Sequence, residues 1–417
     1  MRNRWVVALA GTVLMACLGA VYSFSLFAQP LQAAHGWSAT TTTAAFSLAI
    51  LFLGVGALLG GRWQDRVGPR KVALAGALLW GAGNLLAGLG TARLGAAWLQ
   101  ATYGVVGGLG LGLGYVTPVT AVTRWFPDRR GLGGGMVVMG FGLGAFLYNL
   151  ALARLPAFAA LARAAGQVLA DRAAGLPAAL PAAHQATLSA TFTGSGLLFA
   201  AVGAGCAALL SDPPAAAPGA PAAAGRTLRQ AARTPQLWAL FGMLFLNVTA
   251  GILFVSGAVP ILRELTGAGA ATAVAVNGAI ALANGLGRFA WGAVSDRAGR
   301  RATWVLLYAV QIAVFLVVGR LHALPAVAAL FAVVLLCYGG GFGVMPSFVA
   351  DWFGTRHLGQ VYGLVLLAWG LAGVAGPLFA ARVKDLTGSY AGALPVIAGV
   401  LAVALVLPLA VRPPPPA

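Results

Sequence analysis

The chain has 417 residues, of which 60% are hydrophobic and only 8% charged, and its mean hydropathy is +0.89. So few polar side chains could not solvate the surface of a soluble domain, which excludes a water-borne globular protein. The formal charge of +18, from 26 Lys and Arg against 8 Asp and Glu, would suit a nucleic-acid binder only if the basic residues shared one surface, so their placement decides.

Apolar runs of about 18 to 25 residues recur from end to end, each long enough to cross a hydrocarbon core of roughly 30 Å. Twelve are predicted: about 5–28, 44–61, 72–91, 95–121, 131–155 and 189–210, then about 236–260, 270–293, 302–320, 324–349, 360–381 and 391–411. The basic start at Arg2 and Arg4 followed by an apolar stretch has the charge pattern of a secretory signal. No small-residue cleavage context follows, and the span is read as a retained first helix.

After the second span comes Gly61-Arg62-Trp63-Gln64-Asp65-Arg66-Val67-Gly68, and after the eighth Gly292-Ala293-Val294-Ser295-Asp296-Arg297-Ala298-Gly299, both G-x-x-x-D-R-x-G with basic residues trailing. After the fourth span comes Arg124-Trp125-Phe126-Pro127-Asp128-Arg129, and after the tenth Asp351-Trp352-Phe353-Gly354-Thr355-Arg356. Each marker holds the same place in a six-span half, so an all-α membrane protein of two six-helix bundles is expected, residues 1–210 and 234–417, with an Ala/Pro-rich linker at 211–233. The stretch 155–188 reads as the longest loop on the opposite side, partly extending the flanking helices and with no assigned role. Repeats of this kind bind substrate near the midplane between the halves and rock around it.

Seventeen of the basic residues fall on one side of this arrangement and eight on the other. Basic loops stay cytoplasmic, so both termini are expected inside, in a bacterial inner membrane, and the positive charge is an orientation device rather than a nucleic-acid surface. Arg288 alone falls well inside a span. A cation at membrane depth costs at least about 3 kcal/mol on insertion scales, so it faces a partner, a wet cavity or a substrate. No neighbouring span carries an acidic residue, which leaves a small anion as the direct candidate; helix-end carbonyls or snorkelling to the inner face are the bland alternatives. Arg288 precedes Asp296 by eight residues, about 12 Å of helix, and its fork can hold a carboxylate through two parallel hydrogen bonds. Asn284, one turn earlier on the same face, can offer an amide to a hydroxyl or keto oxygen, although an interhelical bond would explain it nearly as well.

Together with the twelve spans, the paired loop motifs resemble the major facilitator superfamily over nearly the whole chain. More narrowly, Tyr22-Ser23-Phe24-Ser25-Leu26-Phe27, Gly114-Tyr115, the stretch from Asn284 to Asp296, and Tyr338 with Phe342 resemble the oxalate/formate antiporter and monocarboxylate transporter group. That resemblance implies that Arg288 contacts the substrate carboxylate and that Tyr22, Tyr115 and Tyr338 line the cavity, which Phe342 could help complete. Asp65 and Asp296, with Arg66 and Arg297, are read as serving conformational gating, the carboxylates accepting hydrogen bonds from loop arginines and neighbouring helix ends, with simple solvated-turn charges as the alternative. Where animal monocarboxylate transporters look acidic, this chain has Asn284, which puts a proton relay there in doubt. Oxalate-type antiporters carry a lysine in helix eleven, whereas 360–381 has no Lys, Arg or His and offers Trp369. One arginine balances one carboxylate, so the expected substrate is a small monocarboxylate of the lactate, pyruvate or formate type; a dianion would bring uncompensated charge into low dielectric.

His35, His184, His322 and His357 fall near span ends or in loops, not where a mid-membrane relay would sit. Coupling to protons, the expected co-ion, would then use the substrate's own acid group or a residue near the cavity mouth such as Asp351 or Asp385, and anion exchange survives as the alternative. Cys17, Cys206 and Cys337 lack metal-ligand spacing and read as packing residues, so no disulfide, metal or other cofactor is expected. Asn247-Val248-Thr249 matches a glycosylation pattern but lies within helix seven. No nucleophile elbow or Walker loop marks an enzyme. Export of another organic anion, and a carboxylate sensor on a transporter fold, are the rival readings; a monomer in membrane lipid is expected.

Overall fold

The computed structural model describes residues 3–214, 225–387 and 391–415, the Lys384 and Asp385 side chains excepted, and Arg2 and the stretch 215–224 of the expected linker lie outside the described residues. Helices dominate. They are α1 (Arg4–Gly19), α2 (Phe24–His35), α3 (Ala39–Val67), α4 (Pro69–Leu99), α5 (Gly108–Trp125), α6 (Arg130–Ala153), α7 (Pro156–Ala173), α8 (Ala182–Leu209), α9 (Leu228–Ala232), α10 (Pro235–Thr266), α11 (Ala270–Ala298), α12 (Arg300–Val318), α13 (Leu324–Phe353), α14 (Leu358–Thr387) and α15 (Ala393–Ala410).

Local chemistry sets the ends. The Asn3 side chain accepts from Trp5 N at 2.9 Å to cap α1, and Ser38 caps α3 by accepting from Thr41 N at 3.1 Å. The last glycines of the two repeated motifs, Gly68 and Gly299, take φ of 82° and 83°, a backbone state open to glycine that turns the chain directly into α4 and α12. The short α9 carries a reciprocal capping box between Thr227 and Gln230.

The predicted spans map onto this order with two local departures. The first span is α1 and α2 joined by a 3-10 turn at Ala20–Ser23, and spans three and four follow one another without a linker, the chain reversing at Gly95, where φ is 78°, close to the boundary expected between them. Within the fourth span Gln100–Gly107 winds as a π-helix. In the expected loop at 155–188, α7 is a helix of its own, held to the first span by Arg172, which donates to Gln32 O at 3.2 Å and Ala33 O at 3.0 Å.

One bundle forms where α1 packs on α5, α6 and α8, α3 on α5, and α4 on α5 and α8; the second where α10 packs on α13, α14 and α15, α11 on α13, and α12 on α13 and α15. They meet along two seams, α3 against α14 and α6 against α11, so each half offers its second and fifth spans to the fifth and second of the other. Small residues let the backbones approach at both seams: Gly54 faces Gly370, Gly61 faces Gly359, Gly131 faces Gly292 and Gly142 faces Gly285.

Candidate functional site

Arg288 sits on α11 at the second seam with 0% of its surface exposed. Backbone crowds it from both halves: a Cβ on Gly142 of α6 would lie 3.1 Å from its Nε, and one on Gly343 of α13 would collide with its carbonyl oxygen. Its Nε donates to Asn284 Oδ1 at 3.2 Å, one turn back on α11. Its planar group lies over Phe342 of α13, 4.6 Å from the ring centroid, and 5.6 Å from that of Phe141 on α6. Both terminal nitrogens lack a hydrogen-bond partner, and among the described residues no carboxylate stands within ion-pair distance.

Aromatic rings close around this cation. Trp369 of α14 is the hub, with centroids 4.9 Å from Phe342, 5.2 Å from Tyr115, 5.4 Å from Phe141 and 6.4 Å from Tyr22. Tyr22 lies in the 3-10 turn of the first span and packs edge-on against Phe141 at 5.5 Å. Tyr338 stands edge-on to Phe342 at 5.6 Å. Arg288 and the six residues singled out around it in the sequence therefore share one cluster. Two members were not singled out. Phe141 joins Arg288 to three of the rings, and Tyr362 of α14, 0% exposed, neighbours Tyr115 and Arg288. The Tyr115 and Tyr362 hydroxyls make no hydrogen bond, so the cluster holds two uncommitted polar groups besides the guanidinium.

At the basic end, each repeated motif reaches across a seam. Asp65 of α3 accepts from the Gly359 and Gln360 amides of α14 at 3.2 and 2.9 Å, and from Arg124 at 2.6 Å. Asp296 of α11 accepts from the Gly131 and Leu132 amides of α6, both at 2.8 Å, and from Arg300 at 2.7 Å. Both carboxylates thus sit at a helix N-terminus of the opposite half, where free amides and the dipole favour negative charge. Arg66 and Arg297 are exposed and make no ion pair among the described residues. Asp351 is engaged by Arg130 at 2.7 Å and Arg300 at 2.8 Å. Asn247, buried in α10, donates to Tyr338 O at 3.2 Å and ties α10 to α13.

A two-bundle helical membrane protein with a polar centre buried at the seam between its halves is the architecture of a transporter. The chain belongs to the Major Facilitator Superfamily, whose sequence profile matches residues 9–347 and again 254–417. It is 28% identical over 385 residues to the oxalate:formate antiporter of Oxalobacter formigenes, covering 90% of this chain and 83% of that one. It is also 28% identical over 459 residues to apicoplast pyruvate carrier 1 of Toxoplasma gondii, covering 87% and 81%. The crystal structure of the E. coli fucose:proton symporter FucP superposes with a TM-score of 0.72 at 15% identity over 98% of this chain and 99% of that one, a likeness of fold.

Proposed function

We propose that this protein is a secondary transporter for a small monocarboxylate of the lactate, pyruvate or formate type, working by alternating access. One observation carries the reading: the fully buried Arg288 guanidinium has two terminal nitrogens with no partner, in a cluster where the Tyr115 and Tyr362 hydroxyls are also unpaired. Two parallel N–H donors match the two oxygens of a carboxylate, and the surrounding rings give the acid's short carbon chain an apolar wall. Asn284 orients the fork, and Tyr22, Tyr115, Tyr338, Phe342 and Trp369 shape the space. A second cation for a dicarboxylate is missing from the described part of the cluster, which favours a singly charged substrate. The relatives named for oxalate:formate exchange and pyruvate carriage support the carboxylate class.

The halves 1–210 and 234–417, joined by 211–233, would rock about the site, with Asp65 and Asp296 latching the basic end and the exposed Arg66 and Arg297 nearby. Basic-residue placement favours both termini in the cytoplasm of a bacterial inner membrane. Protons are the proposed co-ion, carried with the substrate's own acid group. Counterflow of labelled formate, lactate, pyruvate and oxalate in proteoliposomes, with and without a pH gradient, tests this. Saturable monocarboxylate uptake driven by the gradient is the expected result; uptake that needs a trans anion and ignores the gradient would replace symport by exchange. Strong oxalate transport with no response to the three monoacids would overturn the substrate class.

A further inference from the structure

On the basic end of the first seam, a groove of about 500 Å³ opens between α3, α9, α10 and α14. Arg62 and Arg229 stand on its rim, both exposed, with no ion pair or hydrogen bond to any described residue and no carboxylate in the lining. One turn inward from Arg62 lies Leu58, one turn inward from Gln360 lies Leu364, and the Trp238 ring, 51% exposed with its indole N–H tied to Ala232 O at 2.9 Å, forms the remaining wall. Charge at the lip and apolar surface about 6 Å deeper reproduce the polarity gradient of one bilayer leaflet. A ring that is apolar on its face and wet at its edge belongs at that level.

We propose that this groove binds an anionic phospholipid, its phosphate ester held between Arg62 and Arg229 and an acyl chain laid along Leu58, Leu364 and Trp238. A soluble phosphate would leave the apolar wall uncovered, so the lipid is the occupant that matches the whole surface. The groove joins α3 to the first turn of α14, the same junction at which Asp65 takes the Gln360 amide. A bound lipid therefore bridges the two halves and the linker helix α9, and favours the conformation in which the basic end is closed.

The test uses the purified full chain in detergent, titrated with phosphatidylglycerol or phosphatidylcholine and followed by native mass spectrometry and thermal unfolding. Phosphatidylglycerol is expected to bind and raise the unfolding midpoint; the double variant R62Q/R229Q should bind it about thirtyfold more weakly, from roughly a decade or less per arginine. The variant R70Q/K71Q, which removes the same charge from exposed positions outside the groove, should keep wild-type lipid binding. Equal loss in both double variants would reduce the effect to diffuse surface charge and overturn the site. Inorganic phosphate or glycerol phosphate competing at the lipid's own concentration would overturn the acyl-chain half of the proposal, and unchanged lipid binding by R62Q/R229Q would overturn it entirely.

Discussion

Replacing Arg288 with methionine separates a binding role from a structural one, because the two predict opposite changes in the stability of the empty protein. In the wild type the guanidinium is buried at 0% exposure with both terminal nitrogens unsatisfied, offset by one bond to Asn284 and by the Phe342 and Phe141 rings. An unpaired buried donor costs about 1–3 kcal/mol, while a cation over a ring returns roughly 0.5–2 kcal/mol. Replacing even a buried ion pair by apolar residues of similar volume is often neutral or stabilising by about 1–4 kcal/mol, and an unpaired buried charge has no Coulomb partner to lose. Arg288→Met should therefore unfold at a higher temperature than the wild type when no substrate is present. Substrate reverses the order: losing one partner of a buried charged pair costs about 2–5 kcal/mol, or roughly 30- to 5,000-fold in Kd. The wild type should gain thermal stability from a monocarboxylate, by about 2.7 kcal/mol at a hundred times Kd, and the variant should gain none. Thermal unfolding in detergent with and without the acid reads both arms. A variant less stable than the empty wild type would make Arg288 a structural residue, and a variant that still responds to the acid would move the carboxylate elsewhere.

Asn284→Ala leaves the Arg288 Nε without its acceptor, and affinity for the acid measured by calorimetry should fall about tenfold, the worth of one charge-assisted bond of roughly 1.5 kcal/mol. Asp65→Ala combined with Asp296→Ala removes both acceptors at the N-termini of α14 and α6; transport rate should drop while equilibrium substrate affinity stays within about twofold, and a parallel loss of binding would contradict a purely conformational role. Gly343→Ala drives a methyl into the Arg288 carbonyl and should lower stability by about 1–3 kcal/mol. Gly399→Ala, with open space around it, should leave stability unchanged or raise it by up to about 1 kcal/mol, so equal midpoints for the two variants would refute the packing argument.

Hydropathy made the spans legible because membrane thickness is a length requirement, and the repeated G-x-x-x-D-R-x-G exposed the pairing of the halves. What hydropathy does not register is local winding within an apolar run. The 3-10 turn at Ala20–Ser23 and the π segment at Gln100–Gly107 lie inside predicted spans, and α7 falls in an Ala-rich stretch where neither period nor length separates helix from loop. The gating contacts show a related limit. Asp65 and Arg66 are neighbours in sequence, but adjacent residues on a helix do not face one another, so Asp65 finds Arg124 from the end of α5 and Asp296 finds Arg300 four residues on.

At the site, the cation announced itself through its cost, whereas Phe141 and Tyr362 carry no such mark: one is an aromatic in a glycine-rich apolar span, the other one more tyrosine in α14. Tyr362 was within reach, since it lies seven residues, about two turns, before Trp369 on the same helical face. The placement of these groups has a mechanical consequence for the proposed transport cycle. Arg288 comes from one half and Phe141 from the other, so closing the halves over an empty site buries two unsatisfied nitrogens. A carboxylate between them removes that penalty, which makes occlusion cheaper with substrate than without it. The same desolvation that makes the arginine costly in the empty protein then ties the conformational step to the presence of cargo.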